Sequence, residues 1–184
     1  MNVRILVANT SHIIHTQKIC DLMYISAQQR GTGIATRSID YIAEKMQSGK
    51  AVIALDGEKV IGFSYIETWS HGNFVANSGL IVAHEYRNQG LARRIKRAIF
   101  DLSRKMYPNA KIFSITTGLA VMKLNTELGY RPVPFSELTN DPEFWDGCRE
   151  CRNSDILERN NRTMCLCTGM LFDPAFTITQ PRHF

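Results

Sequence analysis

Apolar runs alternate with polar punctuation along this chain, and the spacing inside each run predicts its structure. Val3–Ala8 reads as a short apolar strand, and Ser11 is placed to cap a helix running toward Gln29. Ile19, Leu22, Met23 and Ser26 share one face of that helix, and Arg30-Gly31-Thr32-Gly33 breaks it. Ser38–Gln47 is a second predicted helix, closed by Ser48-Gly49. Ala51–Leu55 and Val60–Thr68 are strand-like, joined by Asp56-Gly57-Glu58-Lys59, and an Asp-Gly pair between apolar runs signals a hairpin. Phe74–Val82 follows as another strand after Ser70-His71-Gly72-Asn73.

From Gly90 to Met106 the period becomes helical. Leu91, Ile95, Ala98, Ile99, Leu102 and Met106 fall on one face, and Arg93, Arg94, Lys96, Arg97, Arg104 and Lys105 on the other. Lys111–Thr116 predicts a strand, Leu119–Leu128 a helix stopped by Gly129, and Tyr130–Val133 an extended piece. Arg162–Phe172 predicts a last strand, while Pro134–Asn161 is polar and gives no periodic signal. Consecutive strands over 51–82 imply an antiparallel meander, and the later β-α-β alternation implies parallel pairing. An α/β (α+β) fold with a mixed, mainly antiparallel sheet flanked by helices is therefore expected. Residues 1–173 are expected to form one domain, with 134–167 a cysteine-containing insertion or extension and 174–184 a tail.

Composition narrows the class of protein. Among 184 residues, 44% are hydrophobic and 21% charged, which is ordinary for a globular chain. The net charge of +5 suits a protein that handles anions, whether phosphates, carboxylates or nucleic acid. The N-terminus lacks a basic start followed by a long apolar run, and no apolar stretch reaches the ~18 residues of a membrane span. Five cysteines without an export signal point to a reducing compartment, so a cytoplasmic protein is expected and the Asn9-Thr10-Ser11 and Asn161-Arg162-Thr163 sequons are read as accidental.

The most informative stretch is Leu80-Ile81-Val82-Ala83-His84-Glu85-Tyr86-Arg87-Asn88-Gln89-Gly90-Leu91-Ala92. A strand ends, a short loop follows and a long helix begins. Unpaired N–H groups at a helix start, at the positive end of the macrodipole, suit a phosphate. Gly90 allows close approach of the backbone, Ala92 keeps the next turn uncrowded, and Arg87 can add a charge-assisted contact. The run Arg87–Ala92 matches R/Q-x-x-G-x-G/A and resembles the pyrophosphate loop of the GNAT superfamily of N-acetyltransferases. Leu124-Asn125-Thr126-Glu127-Leu128-Gly129-Tyr130 resembles that family's L-Y-x-x-x-G-F segment, and the order of elements is similar over roughly residues 3–135.

The resemblance implies a GNAT fold and acetyl-CoA or another acyl-CoA as cosubstrate. The pyrophosphate would lie on the amides of Asn88, Gln89, Gly90, Leu91 and Ala92 beside Arg87, with the pantetheine arm along the strand edge at Leu80, Ile81 and Val82. The tyrosine that often protonates the leaving thiolate in the family falls at position 125, where this chain has Asn125, an amide that can donate a hydrogen bond but not a proton. A neutral amine must attack, so a base or water relay is needed, and Glu67 and His71 are the candidates near the splayed strands.

Further stretches (30–35, 78–82, 116–122 and 165–170) are similar to the short, kinase-free N-acetylglutamate synthases of bacterial arginine biosynthesis. That likeness implies a small-molecule acceptor, an α-amino acid such as glutamate, with Arg30 and Arg37 holding carboxylates. Within the same fold a protein lysine, an antibiotic or a polyamine are alternative acceptors, and acetyl and succinyl donors share the CoA handle; a homodimer is left open.

Cys148-Arg149-Glu150-Cys151 and Cys165-Leu166-Cys167 have spacings that can close tetrahedrally on a structural zinc, with residues 165 and 167 on one side of the predicted strand; buried free thiols are the other reading. A zinc-containing nucleic-acid binder using the basic 87–105 stripe is the competing class of function. The basic residues concentrate where CoA phosphates would bind and lack interleaved aromatics, so no nucleic-acid partner is expected.

Overall fold

A computed structural model describes residues 2–30, 37–149, 151 and 153–177 of the chain. Seven strands form one sheet in the order β1-β2-β3-β4-β5-β7-β6. They are β1 (Val3–Val7), β2 (Ala51–Asp56), β3 (Lys59–Trp69), β4 (Phe74–Val82), β5 (Lys111–Thr116), β6 (Arg131–Val133) and β7 (Thr168–Phe172). The helices are α1 (Thr16–Arg30), α2 (Ile39–Gln47), α3 (Leu91–Met106), α4 (Leu119–Glu127), α5 (Pro142–Asp146), α6 (Ser154–Arg159) and α7 (Pro174–Thr177). The β1–β4 stretch is the expected antiparallel meander, and β4–β5 is parallel. Beyond β5 the expected parallel pairing does not occur, because β7 inserts antiparallel between β5 and β6. None of the described helices is long and apolar enough to cross a membrane.

The apolar alternation of β2 shows how the layers form. Ala51, Ile53 and Leu55 face α1 and α2, where Ile19, Met23, Ile42 and Met46 meet Phe63 and Ile81. Val52 and Ala54 face the other way, toward Leu91, Ile95, Ile99 and Phe100 of α3. Both faces of this strand are covered, so its apolar run is continuous. A third cluster joins Ala76, Phe113 and Leu171 of the sheet to Phe135, Leu138, Trp145 and Leu157. The segment after β6, which carries no periodic signal, is thus held by aromatic packing at the β5–β7 end.

Three local expectations change. Asn9, not Ser11, caps the first helical segment, a 3-10 turn over Thr10–His15 that leads into α1. Lys96, expected on the solvated face of α3, is 2% exposed and stacks its ammonium over the Tyr130 ring at 5.0 Å. The last strand begins only at Thr168, because Asn161 and Arg162 adopt φ of 51° and 60° in a turn after α6. Arg162 is fixed there by Asp146 at 3.0 Å, so Cys165 and Cys167 lie in a turn region before the strand.

Candidate acyl-transfer site

The cleft originates in a defect of the sheet. Between β3 and β4 the register shifts, so that Phe63 pairs with Ile81 but Tyr65 pairs with Ser78. The bulge places Gly79 at φ 63°, and a Cβ there would come within 2.3 Å of the Tyr65 ring. Only glycine satisfies both the left-handed backbone and the ring contact. Parallel pairing of β4 with β5 covers Phe74–Ala76 against Lys111–Phe113 and then stops. Beyond that point the strands diverge, and a cavity of about 690 Å³ opens between Asn77–Leu80 and Ser114–Thr116. It extends from Met23, Ala27 and Gln28 of α1 to the segment that carries Trp145 and the cysteines.

Leu80, on the cleft wall, leads along β4 into the loop before α3. Asn88 and Gly90 have φ of 61° and 76°, and Gly90 is the N-cap, with no side chain capping the helix. The first turn holds no acidic residue but does hold Arg93 and Arg94, cations at the positive end of the dipole. Glu127 already engages Arg93 through two 2.8 Å contacts, and a further anion at the helix start would be favoured by the dipole and Arg94. Asn88, Gln89 and Gly90 are exposed, and the space above Gly90 is empty. Arg87 has another task in this structure: its guanidinium donates to Val82 O, Gln29 Oε1 and Ser26 Oγ at 3.1–3.3 Å, tying the loop to α1. Leu80 lines the cavity, whereas the Ile81 and Val82 side chains are buried in opposite core layers.

Glu67 lines the cavity from β3 and is 8% exposed. Its carboxylate accepts from Tyr41 Oη and from Ser78 Oγ, each at 2.5 Å, and Arg37 Nη2 lies 3.6 Å away. Arg37 Nε donates to Tyr65 Oη at 3.0 Å. Burial and the nearby carboxylate push both phenols above the ordinary tyrosine range, so they remain neutral donors. Burial opposes the Arg37 charge, but Tyr65 and Glu67 outweigh it and the guanidinium is held on the cationic side. The result is a fixed carboxylate with donors on both oxygens, facing a cleft.

Tyr41, Tyr65 and Ser78 escape sequence reasoning. The available signal is the alternation Phe63-x-Tyr65-x-Glu67, which puts three side chains on one face of β3. Tyr41 comes from α2 and Ser78 from the bulge, and neither position can be paired with Glu67 before the fold is known.

Other expected site residues lie elsewhere. Asn125 is fully buried on α4, where its amide donates to Met170 Sδ at 3.6 Å, and it does not line the cavity. It offers nothing to a thiolate in the cleft. His71 is exposed in the β3–β4 turn at φ 56° and is likewise absent from the cavity wall. Arg30 closes α1; its side chain and residues 31–36 lie outside the described residues.

Cys148, Cys151, Cys165 and Cys167 do converge, on one wall of the cavity. However, no three metal-ligating side chains among the described residues are arranged as a metal site, and the zinc expectation is corrected accordingly. Cys165 Sγ lies 3.8 Å from Asn153 O, and Cys151 Sγ accepts from the Asn153 amide at 3.5 Å. Burial, reinforced by the neighbouring thiols, pushes Cys148 up to about 11 and Cys167 up to about 12. They are neutral at physiological pH.

A splayed parallel pair, an uncapped helix start and a held carboxylate make a cleft able to take a group from a phosphate-bearing carrier. Residues 46–130 match the sequence model of the Acetyltransferase (GNAT) family, and this stretch is a GNAT-family acetyltransferase domain. No curated protein matches it by sequence.

Among solved structures it is similar to N-acetylglutamate synthase from Neisseria gonorrhoeae, complexed with coenzyme A and N-acetyl-glutamate. The TM-score is 0.66 at 17% identity, over 94% of this chain and 35% of that one. The chain therefore spans about a third of that synthase. It is also similar to Rv2747 from Mycobacterium tuberculosis in complex with CoA and NLQ (TM-score 0.61, 15% identity, 92% and 98% covered). A third likeness is to yncA, a putative acetyltransferase from Salmonella typhimurium with acetyl-CoA (0.64, 13%, 95% of each). At these identities the likeness shows the fold.

Proposed function

We propose that this protein transfers an acetyl group from acetyl-CoA to the α-amine of a free amino acid, with Glu67 as the base and Arg37 on the acceptor's carboxylate. The observation that carries the reading is the Tyr41–Glu67–Ser78 arrangement beside Arg37 in the wall of the cleft. Pyrophosphate binds the uncapped N–H groups at Gly90–Ala92, and the pantetheine arm follows β4 past Leu80 to the bulge. There the amine lone pair attacks the thioester carbonyl carbon. The tetrahedral intermediate collapses, the C–S bond breaks with its electrons on the CoA sulfur, and Glu67 takes the amine proton directly or through one water. Solvent can protonate the thiolate, which removes the need for an acid at position 125.

Coenzyme A together with N-acetyl-glutamate in the Neisseria structure supports an amino-acid acceptor, and the sequence resemblance names glutamate as the first one to try. Arg30, at the end of α1, is the other position that the sequence resemblance proposes for the acceptor's carboxylate. The five free thiols suit a reducing, cytoplasmic setting.

Two variants test the assignment in a CoA-release assay. Glu67→Gln should lower kcat by about 10²–10⁴-fold with the KM for acetyl-CoA unchanged. Arg37→Ala should raise the amino-acid KM at least about tenfold, because a charge-assisted pair is worth roughly 1.5–3 kcal/mol. Unchanged amino-acid kinetics in Arg37→Ala would remove the carboxylate assignment.

A further inference from the structure

The acceptor end of the cavity has a chemistry of its own. Its wall there is built by Trp69, Phe113, Phe135, Phe144, Trp145 and Leu157. The rings hold one another: Phe144 meets Phe113 and Trp145 at 4.9 Å each and Trp69 at 5.7 Å, all edge to face, and Phe135 lies 5.1 Å from Trp145. Trp145 is fixed further by donating Nε1–H to Thr139 O at 2.8 Å. This is a rigid aromatic surface, set up before any ligand arrives.

Charge is scarce on this wall. Among the described lining residues the charged ones are Arg37, Glu67 and Glu143. Arg37 already lies 3.6 Å from Glu67, so this cation is shared with a carboxylate of the protein itself. An acceptor with a single α-carboxylate can use Arg37. A second, side-chain carboxylate would enter an aromatic wall beside Glu143, with desolvation and like charge both against it.

From the aromatic end, and from Arg37 as the one cation among the described lining residues, we infer that the acceptor is an amino acid with a large apolar side chain, aromatic or branched aliphatic, in preference to the dicarboxylate that the sequence resemblance suggests. The inference rests on the amino-acid reading above and deepens it by naming the side-chain class. The segment between β6 and β7 then has a function: it is the specificity wall. Its cysteines line the same wall and present small, polarisable surface that packs well against rings.

The test is a CoA-release assay on the wild-type protein with acetyl-CoA and four acceptors: L-phenylalanine, L-leucine, phenethylamine and L-glutamate. Phenylalanine or leucine should exceed glutamate in kcat/KM by at least about 100-fold, as the unpaired buried carboxylate must be desolvated. Phenethylamine should fall at least about tenfold below phenylalanine, because it lacks the group that Arg37 holds. Glutamate turned over as well as phenylalanine overturns the side-chain inference and leaves the amino-acid reading standing. Phenethylamine matching phenylalanine does the reverse: the carboxylate reading fails and the apolar wall survives. Turnover of none of the four overturns both. As a second arm, Phe144→Ala should raise the KM for phenylalanine at least about tenfold and leave that for acetyl-CoA in place, since CoA is held by a different loop.

Discussion

Lys96 offers a quantitative check on the packing of α3, the helix whose start is the proposed pyrophosphate site. Its ammonium is fully buried over the Tyr130 ring, and burial alone drives it down from 10.5 to about 7. Arg93, Arg94 and Arg97 on the same helix and Glu127 on α4 surround the neighbouring hollow, and Glu127 is engaged by Arg93 through two 2.8 Å contacts. Because the folded value lies below the unfolded one, the unfolded chain binds the proton first as pH falls from 10.5. Stability is therefore lost with falling pH across the window from 10.5 down to 7, and below that the penalty is constant.

Three and a half pH units correspond to a full penalty of about 5 kcal/mol, of which about 4 is present at pH 7 and about 2 at pH 9. Replacing Lys96 by Met keeps the aliphatic stem and removes the titrating nitrogen. Urea unfolding followed by circular dichroism at pH 7 and pH 9 reads both effects. The wild type should gain about 2 kcal/mol between these pH values through this group, and Lys96→Met should lack that gain. The variant should also exceed the wild type at pH 7, by up to about 4 kcal/mol before the lost ring contact is subtracted. Equal pH slopes in the two proteins would refute the buried placement of the amine.

Gly90→Val should abolish acetyl-CoA binding in calorimetry while the far-ultraviolet spectrum is retained, since the left-handed φ of 76° disfavours a β-branched residue and its side chain would fill the empty space above the turn. Undiminished binding would move the pyrophosphate elsewhere. Iodoacetamide, which reacts with thiolates, should label Cys148 about a hundredfold more slowly at pH 8 than an unperturbed cysteine, because a value near 11 leaves few thiolates. Labelling at the ordinary rate, read by mass spectrometry, would contradict the apolar thiol wall.

Much of the frame was legible from local pattern. The apolar runs located β1–β5 and α2–α4 to within a few residues, because each buries a periodic face whose period is carried by the sequence itself. Arg87–Ala92 was readable for the same reason: a helix start, its glycine and its dipole are properties of consecutive residues. Glu67 could be singled out by its place near the end of β3, but its partners could not. Tyr41, Ser78 and Arg37 reach it from α2, from the β4 bulge and from the stretch before α2, and proximity across such separations exists only after the layers close.

Tertiary packing also overruled local signals. Lys96 follows the polar face of α3 in sequence yet ends under α4 and Tyr130, because only the arrangement of neighbouring helices decides which helical stripe meets solvent. The cysteine spacing permits a tetrahedral site, but spacing constrains distance along the chain and says nothing of where each thiol points. A turn with positive φ at Asn161 and Arg162 brings the chain back so that Cys165 and Cys167 join Cys148 and Cys151 on the cavity wall. The sequence by itself thus determined β1–β5, α2–α4 and the glycine turn at the start of α3, which are local consequences of periodicity and backbone chemistry. The cavity was decided only by the fold, because its wall joins side chains that no short-range rule connects.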